Sequence, residues 1–306
     1  MDLIRCNIRT GSFPLVIVFV MAIVLSPSAQ AQSFKKVKVA GNVPIVQVAS
    51  GGVNVWALAS NGHPYIFKGK SFALASSISL SQIAVGGGSA AQPDEVWALN
   101  SSGSIFRAHK SGTSWVFAQI SGSLTGIAVG PGYQDACHPY EVWGLNSGSA
   151  IYRYNYCSSG FDQVPGLLCE IQVGGGDIWG ADCGPDVFRF SFSAGAFVQH
   201  VTPFLVFPQL TVGPNGVVWG IDTGSGAVYR WDDYDGFKTI TCCDDQIQAG
   251  GDGVWVHSPN SLTYHWNPSG LNFVQVAGSL VSLSVGSGGG VWGIDAANHV
   301  FAFSTP

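Results

Sequence analysis

The feature that most constrains this chain is a short motif repeated seven times along it. A Val-Trp or Ile-Trp pair recurs at spacings of 36 to 46 residues. The tryptophans are Trp56, Trp97, Trp143, Trp179, Trp219, Trp255 and Trp292. Self-similarity at a period of about 39 residues indicates units that bury their apolar faces against their neighbours.

Each tryptophan lies within a set of four short apolar segments. An alternating segment that ends near glycine comes first, as in SQIAVGG (81–87), and the tryptophan segment follows it. The third segment resembles AIYR (150–153), and the fourth begins at an aromatic residue, as in FVQV (273–276). Apolar alternation bounded by turn residues predicts four β-strands per unit.

The count of strands predicts how the chain closes. Seven first, second and third strands can be found, but only six fourth strands follow their own third strand. The segment Phe34–Val39 has the fourth-strand pattern and precedes the first unit, whereas the chain ends in a third strand at Phe301–Phe303. We therefore predict an all-β fold, a seven-bladed β-propeller of four-stranded antiparallel blades, with the N-terminal strand completing the last blade. An open β-solenoid and a six-bladed ring with a degenerate first unit are the alternatives.

The repeat resembles the tectonin family. The resemblance is carried by IAVG…VWALNSSGSIFR (83–107), IAVG…VWGLNSGSAIYR (127–153) and LTVG…VWGIDTGSGAVYR (210–230), and it covers essentially all of residues 34–306. It implies a β-propeller, and several family members are lectins for surface sugars, including methylated glycans and lipopolysaccharide, while others are intracellular scaffolds. Two departures are that only Trp115 opens a fourth strand as tryptophan, and that the well-known lectins have six units.

The first residues have the pattern of a Sec signal peptide. Arg5 and Arg9 precede a 12-residue apolar core at 14–25, which is too short to span a bilayer comfortably. A small-x-small pattern then ends at Ala31. We predict cleavage after Ala31, residues 32–306 as a tectonin-like β-propeller, and a secreted or periplasmic location. An uncleaved anchor is the alternative.

Six cysteines remain after the predicted cleavage, and an even number in an exported chain favours disulfides. If the first strand of each blade is innermost, Cys137 and Cys157 fall on one face of the third blade. Cys169 and Cys183 then fall on the opposite face of the fourth blade. We predict the pairs Cys137–Cys157 and Cys169–Cys183 and leave the pairing of Cys242 and Cys243 open.

The third strands supply the main candidate binding residues. An arginine recurs there in four consecutive units: Arg107, Arg153, Arg189 and Arg230. Its planar donor fork suits sugar hydroxyls or phosphate. The alternative is a bridge between blades, to a carbonyl or to an Asp of the next unit. The seven tryptophans are expected to be core residues between blades, rather than platforms for sugar stacking.

The long loop of the third unit is a second candidate for carbohydrate binding. It runs from Gly130 to Glu141 and contains Tyr133, His138 and Tyr140. Functional residues concentrate in such loops. A packed, disulfide-pinned loop without a ligand is the alternative.

Charge and motifs narrow the class of function. The net charge is −5 with no basic block, so nucleic acid is not an expected partner. No catalytic motif or metal-ligand spacing is found, so we expect no enzyme activity, cofactor or metal. The prediction is a lectin-like protein, monomeric and without a membrane span, that binds a glycan or cell-surface polysaccharide through repeated shallow sites. The alternatives are a scaffold for other envelope proteins and, less favoured, a propeller lyase or hydrolase.

Overall fold

Consecutive groups of four β-strands account for the repeat in the sequence. The computed structural model describes residues 33–87, 93–200, 206–207, 209–222, 224–233, 236–241 and 244–304, and at 133, 134, 232, 241 and 304 it describes the backbone alone. All these residues belong to one compact unit. The predicted signal peptide, residues 1–31, lies outside them.

The described strands form seven antiparallel blades of four strands each. The first strands are β2 (Ile45–Ser50), β6 (Gln82–Gly86), β10 (Gly126–Asp135), β14 (Glu170–Gly174), β18 (Gln209–Val212), β22 (Gln246–Gly250) and β26 (Ser282–Val285). The second strands are β3 (Val55–Ala59), β7 (Glu95–Leu99), β11 (His138–Leu145), β15 (Asp177–Ala181), β19 (Val218–Ile221), β23 (Gly253–His257) and β27 (Val291–Ile294). The third strands are β4 (Pro64–Phe67), β8 (Ser104–Ser111), β12 (Ala150–Asn155), β16 (Val187–Ser191), β20 (Val228–Asp232), β24 (Leu262–Asn267) and β28 (Val300–Ser304). The fourth strands are β5 (Ser71–Leu74), β9 (Ser114–Ser123), β13 (Gly160–Leu167), β17 (Ala196–His200), β21 (Gly236–Thr241), β25 (Asn272–Ser279) and β1 (Ser33–Val39).

The N-terminal strand closes the last blade, as predicted. Strand β1 runs antiparallel to β28, with register from Ser33↔Ser304 to Val37↔Val300. Its two ends also pair in parallel with the outer strands of the flanking blades, at Ser33↔Ala277 and at Val39↔Phe72. These pairings join blades 6, 7 and 1 into one hydrogen-bonded sheet of twelve strands. The strand therefore leaves no unpaired third strand at the chain's end.

The seven tryptophans are core residues, as expected. Each packs against an aromatic ring on the third or fourth strand of the next blade. The contacts around the ring are Trp56–Trp115, Trp97–Tyr154, Trp143–Phe190, Trp179–Trp231, Trp219–Trp266, Trp255–Phe303 and Trp292–Phe67. In blade 2 the third-strand position holds the small Ala108, and Trp115 on the fourth strand fills the space. One repeated aromatic contact per interface thus holds the blades together.

The repeated glycine at the end of the first strand has a steric reason. A Cβ at Gly86 would overlap the carbonyl oxygen of Val129, and one at Gly174 would overlap that of Val212. Only glycine lets neighbouring innermost strands approach this closely. The first strands of all seven blades surround a central channel of about 380 Å³. Its lining consists of amide, hydroxyl and aliphatic side chains, including Gln47, Gln172 and Ser284.

Antiparallel pairing places the turns on two faces. We call the face with the turns between first and second strands, and between third and fourth strands, the top face; examples are residues 213–217 in blade 5 and 268–271 in blade 6. A short 3-10 turn, Ala40–Asn42, leads from β1 into β2. In the described part of the chain, no helix is long and apolar enough to cross a membrane.

Candidate functional site

A single register position on the third strands carries the candidate arginines. It lies directly opposite the core tryptophan, in the pairs Trp97↔Arg107, Trp143↔Arg153, Trp179↔Arg189 and Trp219↔Arg230. The same position holds Ile66, His265 and Ala302 in blades 1, 6 and 7. Since directly paired residues project to the same face of a sheet, each arginine lies beside its tryptophan, at the interface with the next blade.

In blades 2, 3 and 4 a carboxylate joins the tryptophan to the arginine. Glu95, Glu141 and Asp177, each two residues before the tryptophan, accept the indole N–H at 3.0, 2.7 and 3.1 Å. The same carboxylates accept the arginine Nε–H, at 2.8 Å in blade 3 and 3.0 Å in blade 4. We call each set a Trp–acid–Arg triad. The arginine compensates a buried negative charge within its own blade.

The next blade covers each triad with a different residue. The ring of Tyr156 lies 4.9 Å from the guanidinium of Arg107, and that of Phe192 lies 5.6 Å from Arg153. The carboxylate of Asp233 lies 3.9 Å from Arg189. These cover residues occupy one register position, two residues after the aromatic that packs on the tryptophan. The arginine side chains of Arg107 and Arg189 remain 37% and 44% exposed, whereas that of Arg153 is only 14% exposed.

This packing shifts the pKa values of Arg107 and Tyr156. Burial alone would lower the pKa of Arg107, but the hydrogen bond and charge of Glu95 outweigh it and raise the pKa. Burial and Glu95 together raise the pKa of Tyr156. Tyr156 therefore stays neutral, and Arg107 beneath it stays charged.

Blade 5 keeps the arginine but not the triad. Val217 stands where blades 2, 3 and 4 have the carboxylate, and the guanidinium of Arg230 lies 5.7 Å from the ring of Trp219. Blade 6 replaces the arginine by a histidine. The ring of His265 stacks on Trp255 at 4.4 Å, and its Nε2 lies 2.8 Å from the carbonyl oxygen of Asp252.

Two clefts open on the top face on either side of blade 5. The cleft between blades 4 and 5 has a volume of about 590 Å³ and is lined by Asp177, Arg189 and His200. Burial and Arg189 lower the pKa of His200, which keeps that ring neutral near pH 7. The cleft between blades 5 and 6 has a volume of about 520 Å³ and is lined by Val217, Arg230 and residues of the next blade. Both volumes fall in the range of small-molecule sites.

Comparison with protein families matches this architecture to one of them. A model of the Tectonin domain matches residues 26–196 and 205–305. The chain belongs to the tectonin family. The resemblance carried by the repeat motifs is therefore confirmed.

Solved structures that are similar to this tectonin chain share its propeller fold. The streptogramin B lyase structure superposes with a TM-score of 0.68 at 12% identity, covering 92% of this chain and 100% of the lyase. YCF48 bound to D1 peptide gives a TM-score of 0.66 at 12% identity, covering 90% of this chain and 98% of that chain. The extracellular domain of a hybrid two-component system from B. thetaiotaomicron gives 0.63 at 12% identity, with 90% and 42% covered. No curated protein matches the chain.

The long hairpin of the third blade is packed against its neighbours. It extends β10 and β11, and the Tyr140 hydroxyl donates to the carbonyl of Pro93 in blade 2 at 2.7 Å. His138 Nδ1 lies 2.7 Å from a carboxylate oxygen of Asp135, and its side chain is 13% exposed. The side chain of Tyr133 is outside the described structure. His138 and Tyr140 thus have structural partners, and a carbohydrate-binding role for the three residues stays a prediction.

Both predicted disulfides are present. Cys137 and Cys157 join the two top-face turns of blade 3, with their Cα atoms 5.0 Å apart. Cys169 and Cys183 join strand ends on the opposite face of blade 4, with Cα atoms 5.2 Å apart. Cys242 and Cys243 lie outside the described residues. Blades 3 and 4 of the tectonin propeller are therefore each cross-linked internally by one disulfide.

One further titratable group, Glu170, lies near the channel and away from the top-face clefts. Glu170 begins the innermost strand of blade 4, and its Oε1 accepts from the Leu210 amide of blade 5 at 3.2 Å and from Gln172 at 3.1 Å. Burial raises the pKa of Glu170 to about 7. Among the residues that the structure describes, no cluster of three His, Cys, Asp or Glu side chains could hold a metal ion.

Sequence reasoning missed the carboxylates of the triads. The alternative considered for the arginines was a carbonyl or an Asp of the next unit. Arg189 does lie 3.9 Å from Asp233 of the next blade. The acids that hydrogen-bond the three triad arginines, however, belong to the same blade as the arginine. The signal was present in the runs EVW at 95–97, EVW at 141–143 and DIW at 177–179. An acid two residues before a strand tryptophan shares its face of the sheet, so the position could have been identified.

Proposed function

We propose that this tectonin propeller is an exported, lectin-like protein that binds surface glycans in the clefts between blades on its top face. The observation that supports the proposal is the recurrence, at successive interfaces, of a partly exposed arginine beside buried aromatic rings. A guanidinium held by a carboxylate keeps spare N–H groups for sugar hydroxyls at a fixed position.

The clefts differ in how well they suit a ligand. Arg189 is the most exposed of the three triad arginines and lines a cleft of about 590 Å³. Arg230 is exposed and lines the next cleft. Arg153 is largely covered by Phe190 and Phe192, and its role in the proposal is structural. Weak sites on neighbouring interfaces would act together on a polymeric glycan through multivalency.

Binding without catalysis is part of the proposal. The side chains that line the central channel are neutral amides, hydroxyls and aliphatic groups. General acid–base catalysis requires titratable groups at the reacting centre. Among the described residues that line the channel none is titratable, whereas the Trp–acid–Arg triads recur on the top face. The similarity to the streptogramin B lyase structure, at 12% identity, concerns the fold alone.

A glycan array on the mature chain tests the proposal. Arg189→Gln with Arg230→Gln should abolish the hits, because both open clefts lose their donor fork. Lys35→Gln with Lys36→Gln removes the same charge from the exposed outer strand β1 and should leave them unchanged. A blank array with folded protein, or equal loss in both double variants, would contradict the proposal.

Export is tested separately by the mass of the protein recovered outside the cytoplasm. A mature N-terminus at Gln32 is expected from the sequence pattern. Recovery of the uncleaved chain in the cytoplasm would contradict this part of the proposal.

A protein-interaction scaffold is the second candidate. Exposed apolar residues on the outer strands favour it, among them Val116 at 40%, Val198 at 47% and Val274 at 46% exposure. Under this function, pull-downs would retain partners that free sugars do not displace, and Val198→Lys would release them.

A further inference from the structure

Among the residues that the structure describes, none supplies a carboxylate to pair with the arginine in the cleft between blades 5 and 6. In blades 2, 3 and 4 the arginine is paired with the carboxylate two residues before the tryptophan, and in blade 5 that residue is Val217. The contact made by the Arg230 guanidinium within the described structure is with the Trp219 ring, at 5.7 Å. An aromatic face attracts a cation but does not neutralise it.

The cleft also lacks the cover found on the other arginines. The register position of Tyr156, Phe192 and Asp233 is occupied in blade 6 by Pro268, which has neither an aromatic face nor a charge. Arg230 and Pro268 are both exposed and both line the cleft. The guanidinium edge therefore faces the open volume of about 520 Å³.

The walls of this cleft are mostly apolar. Pro214, Val217 and Leu271 line it, and Leu271 is 69% exposed. Gly250, Gly251 and Gly253 form part of the blade 6 side, together with Val254 and Trp266. Such walls suit the C–H face of a pyranose ring, and Asn215 brings a side-chain amide to the rim.

From these features we infer that the cleft between blades 5 and 6 binds a sugar residue that carries a carboxylate, a hexuronic acid unit of an anionic glycan, through Arg230. The inference rests on the proposed function and adds the ligand class of one site. The planar guanidinium matches a carboxylate in a bidentate pair. The neighbouring cleft, where Asp177 already occupies Arg189, takes neutral sugars by comparison.

Calorimetry with three probes tests the inference: methyl glucuronide, methyl glucoside and inorganic phosphate. The wild-type chain should bind the glucuronide at least tenfold more tightly than the glucoside, and added salt should reduce the difference. Arg230→Gln should remove the preference. Val217→Glu should remove it too, because it supplies the carboxylate of the other triads, whereas Val217→Gln should keep it.

Each other outcome overturns the inference in a distinct way. Equal binding of glucuronide and glucoside, or a preference that survives Arg230→Gln, shows that no carboxylate is held there. Phosphate bound as tightly as glucuronide shows an anion site that does not recognise sugar. Array hits confined to neutral glycans would leave the proposed function standing and this inference wrong, whereas a blank array would overturn both.

Discussion

The two interfaces on either side of blade 5 are built from the same repeat but balance charge differently. Between blades 4 and 5, Asp177 holds Arg189 in a triad, and the carboxylate of Asp233 lies nearby. Between blades 5 and 6, Val217 supplies no carboxylate, and the guanidinium of Arg230 lies 5.7 Å from the Trp219 ring and lines the cleft. Valine in place of a carboxylate on the second strand leaves Arg230 without the ion pair of the triads, and Pro268 leaves it without the cover found on the other arginines.

The two interfaces also differ beside the channel, where one has a carboxyl group and the other an amide at the equivalent position. Glu170 of blade 4 accepts the amide of Leu210 in blade 5, whereas Gln209 of blade 5 donates to the carbonyl of Asp245 in the next link, at 2.6 Å. An amide at this position bridges two blades without charge, and a carboxylate bridges them with a proton whose presence depends on pH. At this end interface 4–5 therefore has the carboxyl group of Glu170, and interface 5–6 has an amide at the equivalent position and the buried carboxyl group of Asp244 in the link between the blades.

The largest difference in stability between variants at the two interfaces is expected at the repeated glycine that ends the first strand. Gly174→Ala would place a Cβ on the carbonyl oxygen of Val212, a backbone atom that cannot move freely. We expect a loss of about 3 kcal/mol in the free energy of unfolding. At the equivalent Gly213 the nearest atom is the side-chain Oδ1 of Asn215, at 3.0 Å. Gly213→Ala should change stability by less than about 1 kcal/mol.

Urea unfolding of the two glycine variants, followed by tryptophan fluorescence, makes this measurement. Similar midpoints for Gly174→Ala and Gly213→Ala would mean that the two interfaces are equally open, and the contrast in backbone approach would be wrong.

The next effect concerns the arginines themselves. Arg189→Gln leaves the carboxylate of Asp177, whose side chain is 12% exposed, without its cation, so we expect a loss of about 2 kcal/mol. Arg230→Gln leaves no buried carboxylate behind and should cost less than about 0.5 kcal/mol. Chemical denaturation of both variants measures the two losses in the free energy of unfolding. A larger loss for Arg230→Gln than for Arg189→Gln would contradict the conclusion that only Arg189 neutralises a buried carboxylate.

The sequence predicted the architecture well because each of the seven units carries the same local signals for a four-stranded blade. Seven tryptophans at one strand position, glycines after the first strands and an unpaired strand pattern at each end of the chain are local signals that repeat. The pairing of Cys137 with Cys157 followed from blade register alone. Repetition supplies several observations of one structural rule, so errors in a single unit do not mislead.

The candidate site was predicted less completely, because its distinctive residues are departures from the repeat. The arginine recurs and was found, but Val217 and Pro268 matter through what they replace. Their significance depends on knowing that Glu95 and Asp177 bind the arginine, and that Tyr156 covers it from the next blade. Contacts across an interface between blades have no fixed sequence spacing, so a pattern search does not identify them.

The interface 4–5 should also respond to pH through Glu170. Its pKa is raised by burial to about 7 in the folded chain, against an ordinary value of 4.5. The folded state therefore holds a proton that the unfolded state loses, and stability falls as the pH rises from about 4.5 to about 7. Glu170→Gln should remove this fall and add about 1–3 kcal/mol at pH 8, with little change at pH 4.

Unfolding free energies measured from pH 4 to pH 8 give the test, and blade 5 offers a matched control. Gln209→Glu introduces the same carboxylate at the equivalent position of the next interface and should create a fall of the same sign. The raised pKa of Asp244, about 6, contributes a fall of the same sign, so the difference between the wild-type chain and Glu170→Gln is the quantity that reports on Glu170. Identical pH profiles for the two chains would show that Glu170 is ionised and well solvated.

The smallest effect is expected from restoring the triad in blade 5. Val217→Glu places a carboxylate where Glu95 binds Trp97 and Arg107, so it can accept from the Trp219 indole and pair with Arg230. Because Arg230 is exposed, the pair should add less than about 1 kcal/mol of stability. The gain should disappear in high salt and below pH 3, and Val217→Gln should not show it. A loss of stability with Val217→Glu would mean that the cleft cannot accommodate an anion beside Arg230, which would count against an acidic ligand as well.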